Sequence, residues 1–447
     1  MKRTLILLMA LVLGLCFSAT AVFAGGGGPP KNMIKGFILK VNPENRTILF
    51  EKDATKEKLT LVLPEDQDLE SIPFGKKVLV SLVTKDHEIT NKIKHISVMF
   101  IDMPPSKIVA LLMVGLIGGL LSGFIGSGGA FVLTPSMMSL GAPGAVAVAS
   151  NMCHKFPKAM VGAYKRWKYG QVDIKLGLVM ASSAIIGVQI GIKIQKYILD
   201  HWGNAGSNLY VSVMFVIVLV LVGGYVFYDA YKLAKGGKEA ETTKLAQALQ
   251  KINLPPMIHF KQANIRISAW FTLPVGVATG MLAATIAVGG FIGVPGLIYV
   301  LGASAIVASA TELVIAFVMG LWGSIQWGLS GLIDIRLTLL ILAASLFGVQ
   351  LGALGTTYVK DYVIKVVMGA VMLIVSVSRG AKIPEYLADL GLRAPLSPEA
   401  RAMYEAISFW ALIAALGTAG IVITFFMVKG MLAARAEEHK KEAVSHG

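Results

Sequence analysis

The chain is dominated by runs of about 20 apolar residues, and that feature limits its fold more than any other. A helix rises 1.5 Å per residue, so such a run matches the roughly 30 Å hydrocarbon core of a bilayer. From Pro104 onward the runs fall at 107–125, 144–165, 174–195, 209–232, 267–287, 304–327, 335–357, 363–379 and about 407–429, with shorter pieces at 128–141 and 289–302. In a chain of 447 residues that is 55% hydrophobic and 15% charged, this predicts an all-α polytopic membrane protein. The net charge of +15 does not point to nucleic acid. Most of the excess lies in short loops beside apolar helices, where the positive-inside rule places it.

The N-terminal quarter is of another kind. Residues 1–24 read as a signal peptide, with Lys2 and Arg3, an apolar run and the small-residue pattern Val22-Phe23-Ala24. An uncleaved anchor is the other reading. Residues 31–104 hold five short β-rich segments, GFILKV, RTILFE, KLTLVL, KKVLVSLV and ITNKIKHISV, separated by turn signals. They predict a small extracytoplasmic β-barrel or sandwich, a docking or spacer domain by default and a substrate-capture domain as the alternative. The two cysteines, Cys16 and Cys153, give no disulfide framework and no zinc spacing. No phosphate-binding loop, metal cluster or nucleophile–base pair is visible, so neither a cofactor nor an enzyme is expected.

The membrane part repeats itself at an offset of 161 residues. Gly128-Gly129 returns as Gly289-Gly290, YGQVDIKL at 169–176 as SGLIDIRL at 330–337, and GVQIG at 187–191 as GVQLG at 348–352. The reading is a first repeat at 105–232, a cytoplasmic loop at 233–266 and a second repeat at 267–380. An extra C-terminal helix at 405–430 and a cytoplasmic tail at 431–447 follow. With 31–104 outside and the basic loop 165–175 inside, the first repeat starts outside and the second inside. The repeats are then inverted, provided that the short pieces 128–141 and 289–302 count as crossings.

Each repeat carries a glycine cluster between a long and a short helical piece, GSGGAFVLTP at 126–135 and AVGGFIGVP at 287–295. Glycine costs roughly 1 kcal/mol and proline about 3 kcal/mol inside a helix, so these are expected helix breaks. Broken backbone in a bilayer is tolerated where it is packed in protein or lines a wet cavity, and a half-helix N-terminus suits an anion. Ser127, Gly128, Gly129, Gly289 and Gly290 are therefore candidate substrate contacts. Close helix packing is the competing reading of the glycines.

The phrase SNMCHKFPK at 150–158 directly follows the first break. Counting back from Lys165 puts Lys158 about 10 Å and Lys155 about 15 Å deep. A charge near the midplane costs at least about 2.5–3.5 kcal/mol and needs a partner or a cavity. The repeat pairs Asn151 with Glu312. Ser150, Asn151, His154, Lys155, Lys158 and Thr311 are candidate substrate-binding residues, and Glu312 is the candidate proton-coupling residue. A buried structural ion pair between Lys155 and Glu312 is the other reading, as is a packing role for His154. Cys153 reads as a small buried hydrophobe before it reads as a working thiol. Asp173 and Asp334 read as helix caps.

Residues 115–151, with YGQVDI at 169–174 and the second copy from Gly276, resemble the TauE/SafE family of sulfite exporters over about 105–230 and 267–380. The resemblance implies a multi-pass transporter of the bacterial inner membrane that moves sulfite, sulfonates or other small sulfur-containing anions. The expected mechanism is alternating access coupled to protons. The expected partners are a small anionic substrate, the lipid bilayer and a protein met outside the cytoplasm through residues 31–104, with a homodimer allowed. The alternative from another class is a membrane scaffold or assembly factor whose β domain recruits that protein.

Overall fold

The computed structural model describes residues 33–52, 56–65, 72, 77–85, 88–98, 103–126, 129–235, 244–359 and 361–445. Residues 1–24, expected to be a signal peptide, and the candidates Ser127 and Gly128 lie outside the described residues.

The β-rich segments form β1 (Met33–Asn42), β2 (Thr47–Lys52), β3 (Lys58–Val62), β4 (Lys77–Lys85) and β5 (Glu88–Val98), which close into a barrel of order β1-β2-β3-β5-β4. Every described pairing is antiparallel except β3 with β5, which is parallel through Val62 and Lys92. Period-2 alternation makes the barrel core. Ile48 and Phe50 on β2 and Val78, Val80 and Leu82 on β4 all point inward.

The remaining described elements are mostly helical: α1 (Pro105–Ile125), α2 (Ala130–Ser139), α3 (Gly144–Lys168), α4 (Ile174–Ala234), α5 (Lys244–Gln250), a hairpin of β6 (Met257–Phe260) and β7 (Ile265–Ser268), α6 (Thr272–Ile286), α7 (Gly290–Pro295), α8 (Ala305–Leu329), α9 (Ile335–Gly355), α10 (Asp361–Asp389) and α11 (Pro398–Ser445). Among the described residues, seven helices are long and apolar enough to cross a membrane. The expected spans 174–195 and 209–232 are parts of one element, α4, interrupted only at Gly203 with φ 61°. The short piece after the second break starts as α7 and continues as a π-helical turn at Gly296–Leu301. The C-terminal helix begins at Pro398, nine residues before the apolar run that predicts it. Its first turns carry Glu399, Arg401 and Glu405, which hides them from hydropathy.

Helix starts keep the 161-residue offset, Gly144 with Ala305 and Ile174 with Ile335. Contacts keep it too. A side chain on Gly115 would meet Ile341 and one on Gly119 would meet Ser345. Likewise Gly276 lies against Met180 and Gly280 against Ala184, each 161 residues on or back. The sequence order of these contacts makes α1 run parallel to α9, and α6 parallel to α4. Helices α3 and α8, the third of each repeat, pack antiparallel: Gly323 lies against Met152, and Gly162 against Leu313. Glycines allow this backbone-to-backbone approach, the usual basis of tight helix association in a membrane.

Candidate functional site

Both glycine clusters break their helices. Helix α1 ends at Gly126 with φ 104°, and α6 ends at its counterpart, Ala287, with φ 62°. A left-handed alanine costs about 1–2 kcal/mol, so the second break holds strain that the first avoids by using glycine. The short helices that follow, α2 and α7, meet where the rings of Phe131 and Phe291 pack with centroids 4.5 Å apart. Gly129, Gly289 and Gly290 are buried at these junctions. Gly129 lies against Gly118 and Ser122, and Gly289 against Thr279, Ala283 and Met319.

Helix α3 brings the basic residues to the breaks. Ser150, Asn151, His154, Lys155 and Lys158 are all fully buried, as are Thr311 and Glu312 on α8. Asn151 donates through Nδ2 to the Ala130 carbonyl at 3.0 Å and to Thr134 Oγ1 at 2.8 Å, locking α3 onto the start of α2. That leaves its carbonyl for His154, 3.1 Å from Nδ1. Nδ1 therefore carries the proton, and Nε2 meets the Ser345 hydroxyl at 3.0 Å. Both ring nitrogens are engaged.

Lys155 reaches across the repeats and donates from Nζ to the Ala287 carbonyl at 3.0 Å, so it holds the strained end of α6. A cation there also suits the negative end of the helix dipole. Glu312 lies within electrostatic reach of Lys155, and its carboxylate sits against Gly293 of α7. Lys158 is the exception. Its ammonium is fully buried, feels the charge of Lys155, and has no hydrogen-bond partner among the described residues.

Ser150 and Thr311 form a mirrored pair of another sort. Ser150 Oγ accepts from the Asp334 N–H at 2.9 Å, and Thr311 Oγ1 accepts from the Asp173 N–H at 3.1 Å. Each ties the third helix of one repeat to the loop before the fourth helix of the other. Asp173 and Asp334 cap those helices through Leu176 N and Arg336 N. Cys153 is a free, partly exposed thiol.

Arg166 was not singled out by the sequence, because KRWK reads as an ordinary cytoplasmic flank. In the fold it is fully buried. Its guanidinium donates to Gln171 Oε1 at 2.8 Å, Ser309 Oγ at 2.8 Å and the Ile306 carbonyl at 2.9 Å, and it faces the last carbonyls of α1 at Gly123 and Phe124. Thus Arg166 stands at the helix before the first break as Lys155 stands at the helix before the second. The signal available in sequence was its spacing, since Lys155, Lys158, Gly162 and Arg166 recur at three and four residues along one face.

Offsetting by 161 gives Ile315 for His154, Ala316 for Lys155, Met319 for Lys158 and Trp327 for Arg166. All four counterparts are buried apolar residues. The second repeat thus builds the same helix without a buried cation at these positions, while placing Glu312 where the first has Asn151.

Among the described residues no group of three or more His, Cys, Asp or Glu could hold a metal ion. Comparison with known proteins gives a consistent picture. A family model described as sulfite exporter TauE/SafE matches residues 111–379. The probable membrane transporter protein YdhB of Bacillus subtilis (strain 168) is 23% identical over 261 residues, covering 57% of this chain and 93% of the relative. The probable membrane transporter protein YunE of the same organism is 25% identical over 280 residues, covering 60% of this chain and 95% of the relative. No solved structure matches.

Proposed function

This chain belongs to the sulfite exporter TauE/SafE family, and we propose that it is a secondary transporter that moves a small sulfur-containing anion, sulfite or a sulfonate, across the bacterial inner membrane. The observation that carries the reading is Lys158. A fully buried ammonium without an acceptor among the described residues, beside a second lysine, is costly unless an anion comes to it. The apolar counterparts Ala316 and Met319 support this, because they indicate that the helix packing itself does not need the charges.

In the proposed mechanism the anion binds at Lys158 between the two helix breaks. The repeats are inverted, an arrangement supported by the antiparallel packing of α3 on α8 and the reciprocal glycine contacts. Rocking of one repeat against the other alternates access to the site. Lys155 exchanges its bond to the Ala287 carbonyl for a contact with the anion, and Glu312 carries a proton or balances the charge as it does so. His154, with both nitrogens engaged, positions Asn151 and α3. The β-barrel faces the extracytoplasmic side, and the C-terminal tail the cytoplasm.

Flux in proteoliposomes tests this reading. Purified protein should move sulfite down a gradient, and replacing Lys158 with Met should abolish that movement at normal reconstitution. Equal flux from the two proteins, or none from wild type for sulfite, sulfate, thiosulfate and sulfonates, would sink it.

A further inference from the structure

A second buried cation lies away from this site. Arg379, on α10, is fully buried. Its Nη2 donates to the hydroxyls of Ser139 at 2.8 Å, Ser408 at 3.0 Å and its neighbour Ser378 at 3.3 Å. Its Nε and Nη1 have no hydrogen-bond partner among the described residues. A guanidinium carries five N–H donors and does not lose its proton in a protein. The three donors on Nε and Nη1 are therefore buried without an acceptor among the described residues, with Tyr386 within electrostatic reach of the guanidinium. The carboxylates farther along α10 are committed elsewhere: Glu385 pairs with Lys382 and Arg401, and Asp389 with Arg401.

Three helices meet around this guanidinium. Ser139 is the last residue of α2, Ser378 and Arg379 belong to α10, and Ser408 belongs to α11. Ser378 Oγ also bonds the Ser408 carbonyl at 2.8 Å, which pins α11 to α10 at this point. Ser139 is partly exposed, so the cluster lies near the protein's surface on that side. Ser408 lies beyond residues 111–379, the part matched by the family model. Helix α2 is ten residues long, about 15 Å at 1.5 Å per residue, and that length separates Ser139 from the first break.

We propose that Arg379, with Ser139, Ser378 and Ser408, binds an oxyanion at the junction of α2, α10 and α11, as a second site distinct from Lys158. An anion with several oxygens can accept from Nε, Nη1 and a rotated serine hydroxyl together, and such charge-assisted bonds are the strong ones. Choosing sulfur oxyanions as probes rests on the proposed function. The site itself rests on the unpartnered Nε and Nη1 of the guanidinium. A lipid phosphodiester offers the same chemistry as a free anion, so the test must separate them.

Equilibrium dialysis of the full chain in detergent, with labelled sulfate and then sulfite, counts the sites. Wild type should hold two anions per chain, and Lys158→Met and Arg379→Met one each. If Lys158→Met keeps both while Arg379→Met loses one, the Arg379 site stands and the Lys158 reading fails. If wild type binds a single free anion but retains phosphatidylglycerol in native mass spectrometry, and Arg379→Met does not, the oxyanion is a lipid headgroup. Should Arg379→Met fold poorly, Ser408→Ala keeps the charge and removes one hydroxyl, with a loss of about 5–10-fold in affinity expected at that site. Wild-type stoichiometry for both anions and for the lipid in Arg379→Met, or unchanged affinity in Ser408→Ala, would overturn the proposal.

Discussion

Replacing Lys158 with Met should make the protein more stable and inactive at once. The side chain is fully buried, and its ammonium has no hydrogen-bond partner among the described residues. Insertion scales put an intramembrane lysine at roughly 2.5–3.5 kcal/mol. Methionine is close in length and volume and repacks well, at a cost of less than about 1.5 kcal/mol. The net is a gain of about 1–3 kcal/mol. At roughly 2–4 °C per kcal/mol for a domain of 150–250 residues, the melting temperature should rise by a few degrees. The change also writes the second repeat's own solution, Met319, into the first repeat. Scanning fluorimetry in detergent reads the stability. Added sulfite reads the site, because a ligand at 100 times its Kd stabilises by about 2.7 kcal/mol. Wild type should gain more from sulfite than the variant, which keeps only the proposed Arg379 site. A variant that melts below wild type, or that keeps the full sulfite shift, would refute the idea that Lys158 is an uncompensated charge waiting for an anion.

Lys155 should behave oppositely. Lys155→Met removes the donor to the Ala287 carbonyl and leaves the carboxylate of Glu312 without its nearby cation, so it should lower stability by about 1.5–3 kcal/mol as well as stop transport; a melting temperature equal to wild type counts against that role. Glu312→Gln keeps the shape but cannot take up or release a proton. Its sulfite flux should lose the pH dependence of wild type, and an unchanged profile removes Glu312 from coupling. Gly119→Leu and Gly280→Leu each push a side chain into the backbone of the parallel partner helix, at Ser345 and Ala184. Each should cost about 1–3 kcal/mol and a similar share of monodisperse protein by fluorescence-detected size exclusion, and a loss confined to one repeat argues against equivalent packing.

The sequence made the helices legible wherever apolar length was the signal. At α3 that signal is weaker: the run 144–165 reads as a span, and the helix forms there, but with His154, Lys155, Lys158 and Arg166 it is not among the seven that qualify on hydropathy, and it is buried against α8 and α9. The two capping aspartates were readable because a cap is local, made with Leu176 N and Arg336 N within three residues. The partners of Ser150 and Thr311 were not, since each lies on the other repeat, 184 and 138 residues away. Arg379 was invisible for the same reason. Only the fold brings Ser139 and Ser408, 240 and 29 residues distant, to one guanidinium.

The duplication also supplies an internal comparison that a single domain would lack. Two helices, α3 and α8, occupy equivalent positions, make reciprocal contacts through Gly162 and Gly323, and close onto equivalent loops through Ser150 and Thr311. Whatever that position demands for folding, both copies must provide. What only one provides is not demanded by the packing that the two share. The shared part is the glycine and hydroxyl pattern. The unshared part is His154, Lys155, Lys158 and Arg166 against Ile315, Ala316, Met319 and Trp327, with Glu312 against Asn151. Arg166 and Lys155 still have a structural use, because each serves the broken end of a helix. Subtracting that use, and that of His154, which bridges Asn151 and Ser345, leaves Lys158 as the cation with no acceptor among the described residues, with the Glu312 carboxylate on the opposite repeat. In the proposed alternating mechanism, charges divided in that way would let the movement of one repeat against the other change the field at the anion.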